Sequence, residues 1–430
     1  MVKSKGGRSP SRLDDRHEEL LSAAEASTLL GVKRATLYTY VSRGLVRCVP
    51  ERGTKENRYV RADVERLKAR HDARAGHAAV ASGALRWGEP VIDSSVTRVG
   101  AEGLAYRGHS AVELAVSGRS FEEVSELLWT GELPASPARW PVPELPFPPS
   151  TLVGLLPRDA PPLAVLSTVV PLLGVADAVR FAAPPEQERL RAQRLLRHLG
   201  AWVGAAHGAG RVTHALKEPT VAASLAQAWG VAAKRAPELL DRALVLCADH
   251  ELNVSTFAAR VTASSGADLY ACVSAALAAL SGPRHGGACD RIEALMQEVG
   301  RPERAATVVR ERLRRGESVP GFGHTLYPDG DPRTPPLLEV AWAVRPEPVA
   351  VRVVRAVAEA MREAGHPPPT VDLGLVALAS ALGLPPGAAT AVFAVGRAAG
   401  WVAHVLEQRE QGHLLRPRAR YVEPSTVRTG

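Results

Sequence analysis

Ser281-Gly282-Pro283-Arg284-His285-Gly286-Gly287-Ala288 is the stretch on which the reading of this chain turns. Behind it, Leu269, Val273, Ala276, Leu277 and Leu280 recur at helical spacing. Ahead of it, Ile292, Leu295, Met296 and Val299 do the same, until Gly300 and Pro302 stop the second helix. The stretch is therefore a glycine-bent loop between two helices, with His285 just before a helix N-terminus. Backbone N–H groups point outward there and the dipole end is positive, so a neutral imidazole is favoured over a cation. The flanking glycines leave room for a ligand to approach the backbone. Taken alone, His-Gly-Gly describes an ordinary turn histidine as well as a functional one. The segments around it decide between the two.

A chain of 430 residues has room for two or three domains and a sizeable core. Long helical patterns and scarce strand alternation predict a mostly α fold. Cys48, Cys247, Cys272 and Cys289 form no CxxC pair, which suits reduced thiols in a cytoplasmic protein and argues against a disulfide frame or a zinc site. No apolar signal-peptide core opens the chain. The most apolar stretch, Pro161 to Val179, is broken by Pro171 and carries Asp177, so it reads as a buried helix and not a membrane span. The apolar region from Leu373 to His404 is interrupted by Pro385-Pro386-Gly387 and Arg397.

The net charge of +8 is unevenly placed. Residues 1–75 hold 17 Lys/Arg against 10 Asp/Glu, whereas the remainder holds 36 against 35. A basic head on a nearly neutral body points toward a polyanion partner. Residues 1–18 are charged and poor in apolar side chains, and are expected to be a disordered lead-in. Ser22 and Glu25 then stand at capping-box spacing, Ala23, Ala26, Leu29 and Leu30 form one apolar face, and Gly31 turns the chain. A basic, hydroxyl-rich second helix starts at Lys33 and ends at Gly44. Arg58 to Leu67 reads as a short strand or wing followed by a third helix. The segment resembles a MerR/excisionase-type winged helix–turn–helix, expected over 19–71. The resemblance implies DNA as a partner, with Lys33, Arg34, Thr36 and Tyr38 as groove and phosphate contacts and Arg58 and Arg61 as wing contacts.

Residues 72–88 read as a linker. A second domain opens at Val91, and Phe121 to Pro134 is an amphipathic helix with a Gly/Pro stop. Residues 135–162 are proline-rich and predict a surface crossing without a helix. Several Ala/Leu/Arg helices follow over 163–235.

Four further segments join His285. Asp249-His250-Glu251-Leu252-Asn253 lies in an apolar run read as helical from Ala243 to Ala263. Gly321-Phe322-Gly323-His324-Thr325 carries a second glycine-bracketed histidine, followed by Asp331-Pro332-Arg333. Thr370-Val371-Asp372-Leu373-Gly374 sets an acid among apolar neighbours. Arg397 and His404 follow in another apolar run, and then Arg416. Such groups are costly to bury unless they are paired or kept for a ligand.

Together these segments, from 91 to 423, resemble citrate synthase of the compact bacterial type, in the same order along the chain. The resemblance implies a mostly α fold, with a large domain over 89–288 and 386–430 and a small mobile domain over 289–385. It implies a homodimer that condenses oxaloacetate with acetyl-CoA and hydrolyses citryl-CoA to citrate and CoA. By motif, Asp372 is the base, His285 the donor to the thioester oxygen, and His324 the group that polarises the ketone. His250, Arg333, Arg397 and Arg416 hold carboxylates, Arg416 from the other subunit. No metal and no cofactor is implied, since coenzyme A enters as a substrate thioester. Thr325, Pro328, Thr370 and Leu373 depart from the family pattern where coenzyme A would lie. The alternatives are 2-methylcitrate synthesis from propionyl-CoA, a DNA-binding metabolite sensor built on the same body, and a head that serves assembly alone.

Overall fold

The computed structural model describes residues 20–42, 45–50, 57–61, 63–65, 67, 92–100, 103–181 and 184–417. The expected lead-in (1–18), Gly44, the linker (72–88) and Val91 lie outside the described residues. Backbone contacts divide the chain into two units, 93–415 and the remainder.

In the head, Ser22 accepts from the Glu25 N–H while Glu25 accepts from the Ser22 N–H, so the predicted capping box starts the Ala23–Leu30 helix. Gly31, at φ +64°, turns the chain into the Arg34–Ser42 helix. Three strands, β1 (Leu20–Leu21), β2 (Cys48–Pro50) and β3 (Asn57–Val60), form an antiparallel sheet in the order β1-β3-β2. Ala26, Leu30, Leu37, Val46, Tyr59 and Val64 close a small core. The buried Asp63 accepts from the Arg47 backbone N–H at 3.0 Å and from its Nε at 2.7 Å, which ties the third helical segment to the approach to β2. Lys33, Arg34 and Tyr38 are exposed along the second helix and Thr36 is half-buried. Arg58 lies on β3, as the wing reading expects. Arg61 departs from it: this residue is already helical, and its Nε donates to Glu65 at 2.8 Å, one turn on.

The body opens with a small antiparallel sheet of β4 (Thr97–Gly100), β5 (Gly103–Tyr106) and β6 (His109–Ser110). Thereafter the described residues are helices and their connections. The long Ala388–Gln411 helix runs through the main core, packed by the Val254–Ser264, Ala236–Cys247 and Leu269–Leu280 helices. It is long and apolar enough to cross a membrane, yet it is almost wholly covered by the body itself. A second, smaller cluster joins Leu295, Val299, Val308, Val309, Val353 and Val357 on three helices. It falls within the 289–385 span.

Three sequence readings change. Pro171 does not break its helix: Pro162–Ala176 is continuous, held on its buried face by Val165, Leu166, Val169 and Val170. The 135–162 crossing contains one short helix, Pro149–Val153, and is pinned by Trp140, which stacks on Trp129 at 5.5 Å and donates to Glu126 at 2.9 Å. The Ala243–Ala263 run is two helices, Ala236–Cys247 and Val254–Ser264, with residues 248–253 between them. Asn253 caps the second helix by accepting from the Thr256 N–H at 3.0 Å.

That break lies against the Ala388–Gln411 helix, and only a glycine fits at the crossing. A Cβ on Gly400 would stand 2.5 Å from the Ala248 carbonyl oxygen and 2.2 Å from Asp249 Oδ1. Gly400→Ala should therefore cost about 1–3 kcal/mol by overpacking, read as a lower denaturant midpoint with an unchanged slope. A midpoint equal to that of the wild type would show that the crossing is not tight.

Candidate active site

The helical break places His250 in the core. The preceding Asp249 is fully buried, and its Oδ2 lies 3.3 Å from His404 Nε2. His404 Nδ1 lies 3.0 Å from Arg260 Nη1, which can only donate, so Nδ1 is the acceptor and Nε2–H faces Asp249. Arg260 also donates to Glu407 at 2.7 Å and Gln408 at 2.8 Å, and Glu407 accepts from the Ser95 N–H at 2.7 Å. The chain thus bends sharply at Glu251, whose φ of +55° is costly for a residue with a side chain. His250, nearly buried, reaches Tyr327 Oη at 2.9 Å. Burial first, and then the charges of Arg333 and Arg397, lower its pKa well below the usual histidine value.

His285 stands where the sequence put it, just before the Gly287–Val299 helix. Its Nε2 lies 2.8 Å from the Ser255 hydroxyl, which also accepts from the Trp401 N–H at 3.1 Å. Burial, reinforced by Arg397, lowers its pKa to about 4. The ring is therefore neutral at physiological pH, and the causes are burial and Arg397. Gly286 has a different use from the one expected. Its φ is an ordinary −64°, but a Cβ there would meet the Leu280 carbonyl oxygen at 2.3 Å. This glycine closes the turn on the protein's own backbone.

His324 occupies a glycine-bent loop, with Gly321 at φ +92° and Gly323 at φ +77°. Its Nδ1 accepts from the Leu326 N–H at 3.1 Å, which leaves Nε2 as the protonated nitrogen. Burial lowers its pKa, and Arg333 adds to the shift while Asp331 and Asp372 oppose it. The same loop is bonded to the segment that delivers the acid: Gly323 N donates to Pro368 O at 2.9 Å and Thr370 N to Gly321 O at 2.9 Å. Asp372 follows in the first turn of the Val371–Leu382 helix, half-buried, with Thr370 Oγ1 donating to its Oδ2 at 3.2 Å.

The arginines divide into three cases. Arg333 is buried and committed to Asp331 through Nε at 2.9 Å and Nη2 at 2.7 Å, so most of its fork is already used. Arg397 is buried over the Phe393 ring at 4.5 Å, and its Nε donates to the Cys247 carbonyl oxygen at 2.8 Å. Among the described residues no carboxylate pairs with it. Arg416 is exposed on its own chain.

The rings close the constellation: His250 and His324 are 5.8 Å apart, His324 and Tyr327 5.0 Å, and His285 and Phe393 6.2 Å. Three neutral histidines, a half-buried carboxylate and an unneutralised buried guanidinium thus converge. That set can bind a small anion and move a proton. Among the described residues no cluster suited to a metal ion occurs.

Comparisons with known proteins identify the family. Residues 84–418 match the family model for the citrate synthase C-terminal domain. The chain belongs to the citrate synthase family. Residues 21–74 match the MerR helix–turn–helix regulatory family. Citrate synthase 2 of Bacillus subtilis is 32% identical over 358 residues, 77% of this chain and 93% of that one. The 2-methylcitrate synthase of Shewanella oneidensis is 32% identical over 346 residues, 76% of this chain and 91% of that one. Among solved structures, citrate synthase from Thermotoga maritima has a TM-score of 0.65 at 29% identity, covering 79% of this chain and 95% of that one. Citrate synthase from Thermoplasma acidophilum has a TM-score of 0.69 at 26% identity, covering 78% and 94%, and was solved with carboxymethyl coenzyme A and oxaloacetate. The fold is that of an acyltransferase-type enzyme.

Sequence reasoning missed the residues that hold these groups. Ser255, Arg260, Tyr327 and Glu407 carry no motif of their own. The one available signal was an arginine inside the apolar Val254–Ser264 helix.

The His285 assignment predicts a pH dependence. Its folded pKa of about 4 lies below the usual 6.5, so the unfolded chain takes up this proton first as pH falls. The stability it contributes is complete above pH ~6.5 and is lost as pH falls toward ~4. His285→Gln should flatten part of that decline in denaturation midpoints, and an unchanged slope would remove the claim.

Proposed function

We propose that this chain condenses oxaloacetate with a short acyl-CoA, acetyl-CoA first, and hydrolyses the product thioester to citrate and CoA. The observation that carries the reading is Arg397, a buried cation that no carboxylate pairs with among the described residues, beside three histidines that burial keeps neutral. A buried guanidinium needs an anion, and its planar fork suits a dicarboxylate. Arg397 and His250 hold the carboxylates, with Arg333 backed by Asp331 beside them. We also infer a cytoplasmic homodimer in which Arg416 completes the neighbouring subunit's site.

Asp372 takes a proton from the acyl methyl group. The charge that develops on the thioester oxygen meets His285. Ser255 holds Nε2 of that ring, so Nδ1 is the atom left for the substrate; the Ser255 hydroxyl donates to Asn253 Oδ1 at 2.8 Å, and Nδ1 carries the proton only once that hydroxyl turns to donate to Nε2. The enolate carbon attacks the oxaloacetate ketone, and His324, protonated on Nε2, gives its proton to the new alkoxide and recovers one from the water that then attacks the thioester. That water cleaves the thioester to the free carboxylic acid, and the CoA sulfur leaves with the proton Asp372 had taken. Propionyl-CoA needs room for one more methylene, a difference of about 1–3 kcal/mol in such a pocket.

Thiol release with oxaloacetate, comparing acetyl-CoA and propionyl-CoA, tests the reaction and ranks the acyl groups. Asp372→Asn should lower turnover by about 10²–10⁴-fold with oxaloacetate binding retained. Arg397→Leu should raise the oxaloacetate Kd about 30-fold or more, since losing a charged hydrogen-bond partner costs about 2 kcal/mol or more. Silence with both thioesters, from folded protein that still binds oxaloacetate, would favour the sensor reading.

One observation supports DNA contact in addition to catalysis: Lys33, Arg34 and Tyr38 stand exposed along the second helix of the head. Arg34→Ala should weaken DNA binding and reduce its log–log salt slope by about 1. Absence of any salt-dependent binding by the wild type would leave assembly as the role of the head.

A further inference from the structure

Asp372 is held from two sides. Thr370 Oγ1 donates to Oδ2 at 3.2 Å from the base's own helix N-cap. The second donor comes from a different helix: the Cys289 thiol, in the first turn after His285, donates to Oδ1 at 3.6 Å. Cys289 is buried, and neither the family motifs nor the mechanism above uses it. Burial first, and then the charge of Asp372, raise its thiol pKa well above the usual range, so it stays protonated and remains a donor.

From this geometry we infer that Cys289 is a positioning residue for the base, orienting the Asp372 carboxylate through a weak S–H···O bond that leaves the carboxylate basic. The inference rests on Asp372 being the base. The physical argument is one of strength. A carboxylate that takes a proton from carbon must keep its basicity, and each strong donor lowers it by favouring the charged form. A thiol is a weak donor and binds without much of that effect. It also joins the His285 helix to the Asp372 helix, so the donor to the enolate and the base are set with respect to each other.

Two substitutions bracket the role. In Cys289→Ser a stronger O–H donor replaces the thiol. The acidic limb of the kcat–pH profile should move down by about one unit, and kcat should fall about threefold or more because the base is weaker. In Cys289→Ala the donor is gone. The limb should move up by about half a unit, the scale of a weak hydrogen bond, and kcat should fall as orientation is lost. Opposite shifts from two small side chains cannot come from space filling, so coincident limbs in all three proteins would overturn the inference.

A second readout needs no turnover. The S–H stretch absorbs where other protein bands do not, and the wild-type minus Cys289→Ala infrared difference isolates this thiol. Asp372→Asn should shift that band, and an unshifted band overturns the contact. No turnover from the wild type would defeat the catalytic reading itself. A shifted band would then still uphold the thiol–carboxylate contact, and an unshifted one would remove it.

Discussion

A buried hydrogen-bonded chain supports the whole site: Asp249, His404, Arg260 and Glu407, in sequence, across two helices and a loop. Each partner would be expensive to bury alone, and removing one leaves the next uncompensated. The chain fixes where the 248–253 segment leaves its helix, and so where His250 stands. It also seats the Val254–Ser264 helix that presents Ser255 to His285. Tyr106 closes the same corner from the small sheet, its hydroxyl donating to the Val245 carbonyl at 3.1 Å. The strained backbone at Glu251 is sustained by this surrounding network.

Around that frame, the electrostatics separate binding from chemistry. Burial pushes all three site histidines below their usual pKa, which turns them into hydrogen-bond donors and acceptors of fixed tautomer and removes them as cations. Positive charge is left to the guanidiniums. One of these is paired with Asp331; the other has no carboxylate at ion-pair distance among the described residues and feels Asp249 only from further off. The site therefore attracts a carboxylate without also stabilising the wrong protonation state of its acid–base groups.

The fold and the candidate site residues were legible because each sits in a strong local signal. His285 and His324 are bracketed by glycines, Asp372 opens an apolar helix, and the capping box at Ser22 and Glu25 has a fixed spacing. The supporting residues left no such trace. Arg260 and Glu407 are 147 residues apart, and an isolated arginine in a helix says nothing of a partner that distant. The break at His250 was hidden because Asn253, a capping residue, stands in a run whose apolar periodicity continues across it. Arg61 was misplaced because strand and helix meet at that position, and propensity locates such boundaries poorly.

The two main-chain bonds between the His324 loop and the Pro368–Thr370 segment have a consequence for timing. They place Asp372 and His324, the proposed base and acid, on one frame, whereas His250 and Arg397 stand on another. A hinge between those frames would carry acid and base together, so their spacing would survive opening for product release. An anion held by His250 and Arg397, as proposed, would be what the motion sets free.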